Sequence, residues 1–197
     1  TRRVGSGIDE AGRGPLAGPV VAAAVILHLG AELSGVRDSK MMSEIARENA
    51  FPKIQDSSVS TGIGVVSHRD IDSSDILSAS LEAMKKAVDA LDIEPDFLLV
   101  DGIQTIPLTT PQKCLKKGDK LSLSISAASV LAKVYRDRIM RSYHETYPDY
   151  GFDRNKGYGT KDHLQVIRRI GPSPVHRHSF KGVCRFDEGK NRSGQIW

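Results

Sequence analysis

Two cysteines in 197 residues, Cys114 and Cys184, are too few and too far apart for a disulfide framework or a paired-cysteine zinc site. They read as reduced structural thiols. No apolar run approaches a membrane span, and Thr1-Arg2-Arg3-Val4 lacks the core of a secretory leader, so the expected setting is cytoplasmic with no membrane partner. Internal repeats and low-complexity tracts are absent as well. His68, His144, His163, His176 and His178 show no metal-ligand spacing and read as structural or surface residues.

What is present is a mild excess of positive charge, 28 Lys and Arg against 24 Asp and Glu, which leans towards an anionic partner without specifying nucleic acid. With 39% hydrophobic residues the chain builds one core. The expected division is a single domain over residues 1–186 followed by a polar tail over 187–197.

Strand and helix patterns alternate along that domain. Val4 to Asp9, Val20 to Leu27 and Val59 to Val66 read as strands, with a short helix over Met42 to Ile54. Leu77, Leu81, Met84, Val88 and Leu91 then recur at helical spacing behind the capping residues Ser73, Ser74 and Asp75. Phe97 to Val100 predicts a buried strand, Lys113 to Leu115 a short one, and Ser126 to Tyr147 a long helix. A loop over Tyr150 to Gly159 precedes a helix over Lys161 to Ile170 that stops at Gly171-Pro172. This order predicts an α/β domain, a mixed sheet covered by helices.

The most informative segment is Gly7-Ile8-Asp9-Glu10-Ala11-Gly12-Arg13-Gly14, two adjacent carboxylates before an arginine between glycines. Successive side chains on a regular strand face opposite ways, so one site for both acids requires the strand to end here and bend. Carboxylates held close together repel, and a hard cation such as Mg²⁺ is a common reason to keep both ionised. A solvated acidic loop before a glycine turn is the plainer alternative. A dinucleotide-binding turn is disfavoured, because Pro15 and Pro19 lead into the strand run from Val20 rather than into a helix.

Further candidates stand at element ends. Asp101 follows the Phe97 to Val100 strand and precedes Gly102, where an α/β sheet presents ligands, although Asp-Gly is also an ordinary turn. Asp119 lies in a lysine-rich loop, Lys116 to Lys120, and taken alone is a solvated acid. On the long helix Ser126, Ser129, Lys133 and Arg136 share a face, which would place the serines beside the acids and send Lys133 and Arg136 outward to phosphates. A solvated basic face is the alternative, preferred for Arg138 and Arg141.

Seven segments in order carry a resemblance: Asp9 to Pro19, Asp38-Ser39-Lys40, Val100-Asp101-Gly102, Lys117-Gly118-Asp119, Ser126 to Arg138, Lys156-Gly157-Tyr158 and His176 to Phe180. From about Val4 to Phe186 the chain resembles bacterial ribonuclease HII, a type 2 ribonuclease H. The resemblance implies a ribonuclease H-like fold, a mixed central β-sheet flanked by helices with a small helical carboxy-terminal part. It implies a metal centre of Asp9, Glu10, Asp101 and Asp119 holding Mg²⁺ or Mn²⁺. Gly12, Arg13 and Gly14 would read the 2′-hydroxyl, Tyr158 would pack on the sugar, and Lys40, Ser126, Ser129, Lys133 and Arg136 would contact the backbone. Lys156 is placed for phosphate.

The implied substrates are RNA/DNA hybrids and duplex DNA containing single ribonucleotides, cut to 3′-hydroxyl and 5′-phosphate ends. A monomer is the default expectation. Met41-Met42 departs from the commoner Lys-Leu of the family and removes one positive charge. Little sequence follows the last matching segment, so the longer carboxy-terminal recruitment elements of some relatives are expected to be missing. A phosphatase acting on small nucleotides and a catalytically silent hybrid-binding module remain the alternatives.

Overall fold

Val20–Leu27 (β2) is buried at every position but its last, because helices cover both of its faces; a strand in that position reads as a continuous apolar run rather than an alternating one. The computed structural model describes residues 4–36 and 39–183, so Asp38, Cys184 and the polar tail lie outside the described residues.

β1 (Gly5–Ala11), β2 and β3 (Ser58–Val66) form an antiparallel meander, and β4 (Phe97–Asp101) and β5 (Gln112–Leu115) add parallel strands on the other side of β1. The sheet order is β3-β2-β1-β4-β5, a mixed sheet of the expected α/β kind. Since β1 and β4 run parallel, both carry their carboxyl ends to one edge of the sheet.

Helix α3 (Ile76–Asp89) covers one face, packing on Ile8, Ala22, Ala24, Leu98 and Val100. Asp75 starts it as sequence chemistry predicts, its carboxylate accepting the backbone N–H groups of Leu77 and Ser78. Helices α1 (Glu44–Asp56) and α4 (Leu123–Thr146) cover the other face through Ala23, Val25, Phe51, Ala127 and Leu131. Glycines set the closeness of these layers: a Cβ on Gly64 would lie 1.9 Å from the Ala83 carbonyl of α3, and one on Gly7 would lie 2.3 Å from Ser124 of α4.

A third core, built from Leu16, Ala17, Met140, Tyr150, Phe152, Ile167 and Val175, joins the small helices α5 (Phe152–Asn155) and α6 (Lys161–Ile170) to the far end of α4. Among the described residues no helix is long and apolar enough to cross a membrane.

Several boundaries differ from the sequence reading. β1 does not end at Asp9 but continues through Ala11, because Glu10 and Ala11 pair with Ala22 and Val21 of β2. The chain leaves the sheet at Gly12, whose φ of 101° is open to glycine. α4 begins at Leu123, three residues earlier than its serine pattern suggested. A short helix α2 (His68–Ser73) was not anticipated; Ser67 and Asp70 close it with a reciprocal capping box.

Candidate active site

Asp9, Glu10 and Asp101 meet at the sheet edge formed by the ends of β1 and β4. Asp9 shares its face with Ala23 and turns towards α4, where the Ser129 hydroxyl bonds its carboxylate. Glu10 turns the other way and lines a cleft of about 270 Å³ with Arg13, Leu77, Ser80, Leu81, Met84 and Asp101. The consecutive acids therefore occupy opposite faces, as an unbroken strand dictates, and no bend brings them round to one side. Asp101 faces both: its charge acts on Asp9 and on Glu10.

Burial, followed by the charges of Glu10 and Asp101, pushes the Asp9 carboxyl well above the usual carboxylate range. Burial also raises Glu10, with Asp101 adding to the rise and Arg13, 3.5 Å away, pulling it back. Asp119 joins through the backbone. One Asp101 oxygen accepts the Gly118 N–H at 2.7 Å, which fixes the turn Gly118–Lys120 against the end of β4. The Ser126 hydroxyl then donates to the carbonyl of Asp119, itself a buried residue.

Hard oxygen donors of net negative charge, with the Asp101 charge raising the proton affinity of Asp9 and Glu10, suit a divalent cation. Among the described residues, however, no three acidic, histidine or cysteine side chains are gathered tightly enough to hold a metal as they stand. Asp9 and Glu10 leave opposite faces of the strand, and each acid has protein donors: Asp9 accepts the Glu10 N–H and the Ser129 hydroxyl, Asp101 the Gly118 N–H, and Glu10 the Arg13 guanidinium.

The glycine segment after β1 is held from below by two buried arginines. Arg136 donates to the carbonyls of Pro19, Ala17 and Lys156 at 3.0–3.1 Å. Arg177 donates to those of Gly12, Arg13, Gly18 and Pro19 at 2.6–3.1 Å. Both side chains are fully buried, and burial lowers Arg136 to about 10 and Arg177 to about 9, with the neighbouring Arg136 charge also depressing Arg177. They remain cationic at neutral pH. Arg136 thus does not reach outward to phosphates, as its helical spacing suggested; its guanidinium is consumed by loop carbonyls.

Gly14 meets Tyr158: a Cβ on Gly14 would touch the Tyr158 ring at 3.7 Å. The Tyr158 ring is 44% exposed, with Lys133 Nζ 5.9 Å from its centroid. Lys133 also pairs with buried Asp137 at 2.7 Å, and burial lowers its pKa. Ser129 lies 2.9 Å from Ser39, whose carbonyl accepts Arg47, so the turn bearing exposed Lys40 is tied to Asp9 through one serine. Ser126 and Ser129 are buried and hold acids and loops in place, leaving no hydroxyl directed at solvent.

Lys156 is another correction. Its ammonium turns inward to the Asp153 carbonyl and to Glu44, and the residue is buried rather than presented to solvent. Arg138 and Arg141 pair with Glu48 and Glu44, the solvated face expected of them. Arg177 was missed as a supporting residue. It stood in a recognisable segment, but nothing local links it to Gly12.

Residues 6–183 match the family described as Ribonuclease HII. The ribonuclease HII of Geobacter metallireducens is 56% identical over 178 residues, covering 90% of this chain and 84% of that protein. In fold, the ribonuclease H2 of Pyrococcus horikoshii OT3 superposes with a TM-score of 0.81 at 24% identity, over 95% of this chain and 99% of that one. A Bst-RNase HIII in complex with Mn²⁺ gives a TM-score of 0.69 at 18% identity, over 96% and 71% of the two chains. With the mixed sheet, the acids at its edge and the match over nearly every described residue, this chain belongs to the ribonuclease HII family of endoribonucleases.

Proposed function

We propose that this endoribonuclease hydrolyses the RNA strand of RNA/DNA hybrids and incises on the 5′ side of single ribonucleotides in duplex DNA, with Mg²⁺ or Mn²⁺. The observation that carries the reading is the meeting of Asp9, Glu10 and Asp101 at one sheet edge, where the Asp101 charge acts on both of the others, with Asp119 held one residue from Asp101's partner Gly118. Asp9, Glu10, Asp101 and Asp119 would hold the ion. When bound, it supplies Lewis-acid activation of water and charge stabilisation for in-line displacement at phosphorus. The metal-bound relative supports a divalent cation only by likeness of fold.

The chain's own residues supply orientation. In the Gly12 to Gly14 segment the carbonyls of Gly12 and Arg13 are engaged from below by Arg177, which leaves the segment's outer surface for the ribose 2′-hydroxyl, the group that separates RNA from DNA. Tyr158, beside Gly14, offers a flat face to the neighbouring sugar, and Lys133 adds positive charge next to that ring. Lys40 stands on the exposed turn beyond Ser129 and Ser39 as a phosphate contact.

A labelled duplex with one ribonucleotide, incubated with Mg²⁺, Mn²⁺ or chelator, tests the reading. Expected is one cut 5′ of the ribonucleotide leaving 3′-hydroxyl and 5′-phosphate ends, lost on chelation. Cleavage of free nucleotides with the duplex left intact would establish a phosphatase instead, and binding without cleavage in either metal would establish a silent module.

A further inference from the structure

His163 in α6 and His176 beyond it are buried to 1% and 0% exposure, with their Nε2 atoms 3.0 Å apart. Their outer nitrogens have partners that fix every proton. His163 Nδ1 lies 2.8 Å from the Tyr158 carbonyl, which only accepts, so Nδ1 carries the hydrogen. His176 Nδ1 lies 2.9 Å from the Ser173 backbone N–H, which only donates, so that nitrogen is bare. The one remaining proton sits on His176 Nε2 and points at His163 Nε2. Donation therefore runs in one direction, from Ser173 through His176 and His163 to the carbonyl of Tyr158.

The surroundings keep both rings neutral. Tyr150 and Phe152 stack on one another and enclose the pair, with centroid distances of 5.0 Å from Tyr150 to His176 and 5.5 Å from Phe152 to His163. Desolvation lowers both imidazoles, His176 to about 3. A cage that merely needed filling would take apolar side chains at less cost, since a buried polar pair is favourable only when every donor and acceptor is met. Here the satisfied chain ends on the residue whose ring forms the exposed platform. Tyr158 follows Gly157, with a φ of 84°; its N–H donates to the Asn155 carbonyl at 2.9 Å and its carbonyl also accepts the Thr160 N–H at 2.8 Å, so His163 supplies the side-chain bond that ties this main chain to the body of α6.

We propose that His163 and His176 are positioning residues for Tyr158, setting the ring so that the enzyme favours an isolated ribonucleotide over a long hybrid. The inference rests on the reading of Tyr158 as the surface that packs on the sugar.

Two replacements of His163 split the relay. In His163→Asn the amide nitrogen takes the place of Nδ1 and keeps the Tyr158 bond; in His163→Gln the amide oxygen takes the place of Nε2, accepting from His176, and the Tyr158 bond is lost. The readout is the ratio of kcat/KM on a single-ribonucleotide duplex to that on a long hybrid, which is independent of the active fraction of a preparation. His163→Gln is expected to lower the ratio about five- to tenfold, the weight of one buried hydrogen bond, and His163→Asn to stay within about twofold of the parent. Equal ratios in the two variants, whether both unchanged or both reduced, would overturn the proposal.

Should His163→Gln not fold, His176→Asn takes its place: it removes the donor to His163, and an unchanged ratio there counts against the relay. Tyr158→Ala is measured alongside. If it leaves the ratio unchanged, the platform reading itself is wrong; if it lowers the ratio while His163→Gln does not, only the relay is wrong. In the Tyr158→Ala background His163→Gln is expected to add nothing further.

Discussion

Asp9 and Asp101 stand one residue beyond the paired Ile8 and Val100 on neighbouring parallel strands, so the sheet register itself delivers two carboxylates to the same edge. The pairing is costly to the folded state, since burial and the two neighbouring acids all disfavour the ionised Asp9.

Asp9→Asn is therefore expected to separate stability from activity. The amide removes the repulsion and still accepts the Glu10 N–H, so without divalent ions the variant is expected to melt higher, by about 2–4 °C if about 1 kcal/mol is relieved. Incision is expected to fall at least about a thousandfold, the scale lost when preorganised transition-state stabilisation is removed. Added Mn²⁺ is expected to raise the melting temperature of the parent and much less that of the variant, because only a ligand held by the native state stabilises it. A variant that melts lower in chelator, or an equal Mn²⁺ shift in both proteins, would count against Asp9 as a metal ligand. Differential scanning calorimetry reads both quantities.

How much of this was legible in the sequence depends on how local the cause is. Asp75 was readable as a helix start because a cap acts within three residues, and Asp101 because a strand end and a Gly are adjacent to it. The strand β1 runs two residues past the Asp9 end that the sequence suggests, since Glu10 before a glycine turn looks like a loop; the ladder partners Ala22 and Val21 decide otherwise from the next strand. Arg136 shared a helical face with Ser126, Ser129 and Lys133, but spacing does not say which side of that face is dry. The carbonyls of Ala17 and Pro19 settle it, and with Arg177 the partner Gly12 is 165 residues away.

The two glycines flanking Arg13 make different experiments. At Gly12 a methyl group would fall 2.1 Å from Arg136 Nε and 2.7 Å from the Pro19 carbonyl, at a φ already strained for any other residue. Gly12→Ala is expected to destabilise the protein by about 2–4 kcal/mol, the range of overpacking combined with backbone strain. At Gly14 the added carbon meets only the edge of Tyr158 at ordinary contact distance, so Gly14→Ala is expected to fold like the parent. Its effect belongs to substrate recognition: a preferential loss of incision at ribose, scored against binding of the all-DNA duplex. A Gly14→Ala enzyme with parental incision would remove this surface from the ribose site.

Arg177 tests whether the loop is held by shape or by charge. Four carbonyls share its guanidinium, and a lysine ammonium, with three donors and no planar fork, cannot reach all of them. Arg177→Lys is expected to cost about 2–4 kcal/mol in urea unfolding, from carbonyls left without a donor in a buried site. Near-parental stability with intact ribose discrimination would show that the loop keeps its form by itself.

The buried histidine pair fixes the sign of a pH dependence. Both imidazoles have folded values below the ordinary 6.5, His176 at about 3, so the unfolded chain takes up protons first as the pH falls. Their contribution to stability is complete above about pH 6.5 and is lost progressively towards about pH 3. His68, lowered by burial and by Arg69, titrates in the same sense, and Glu44, Glu48 and Asp72, all lowered by their partners, add losses at the acid end. Comparison with His176→Asn isolates the pair: the variant is expected to be less stable than the parent at pH 7.5 and to approach it as the pH drops to about 4.5, because it no longer carries an imidazole whose protonation opposes folding. Urea midpoints of both proteins across that interval check it, and parallel curves would show that the Nε2 contact contributes nothing that depends on protonation.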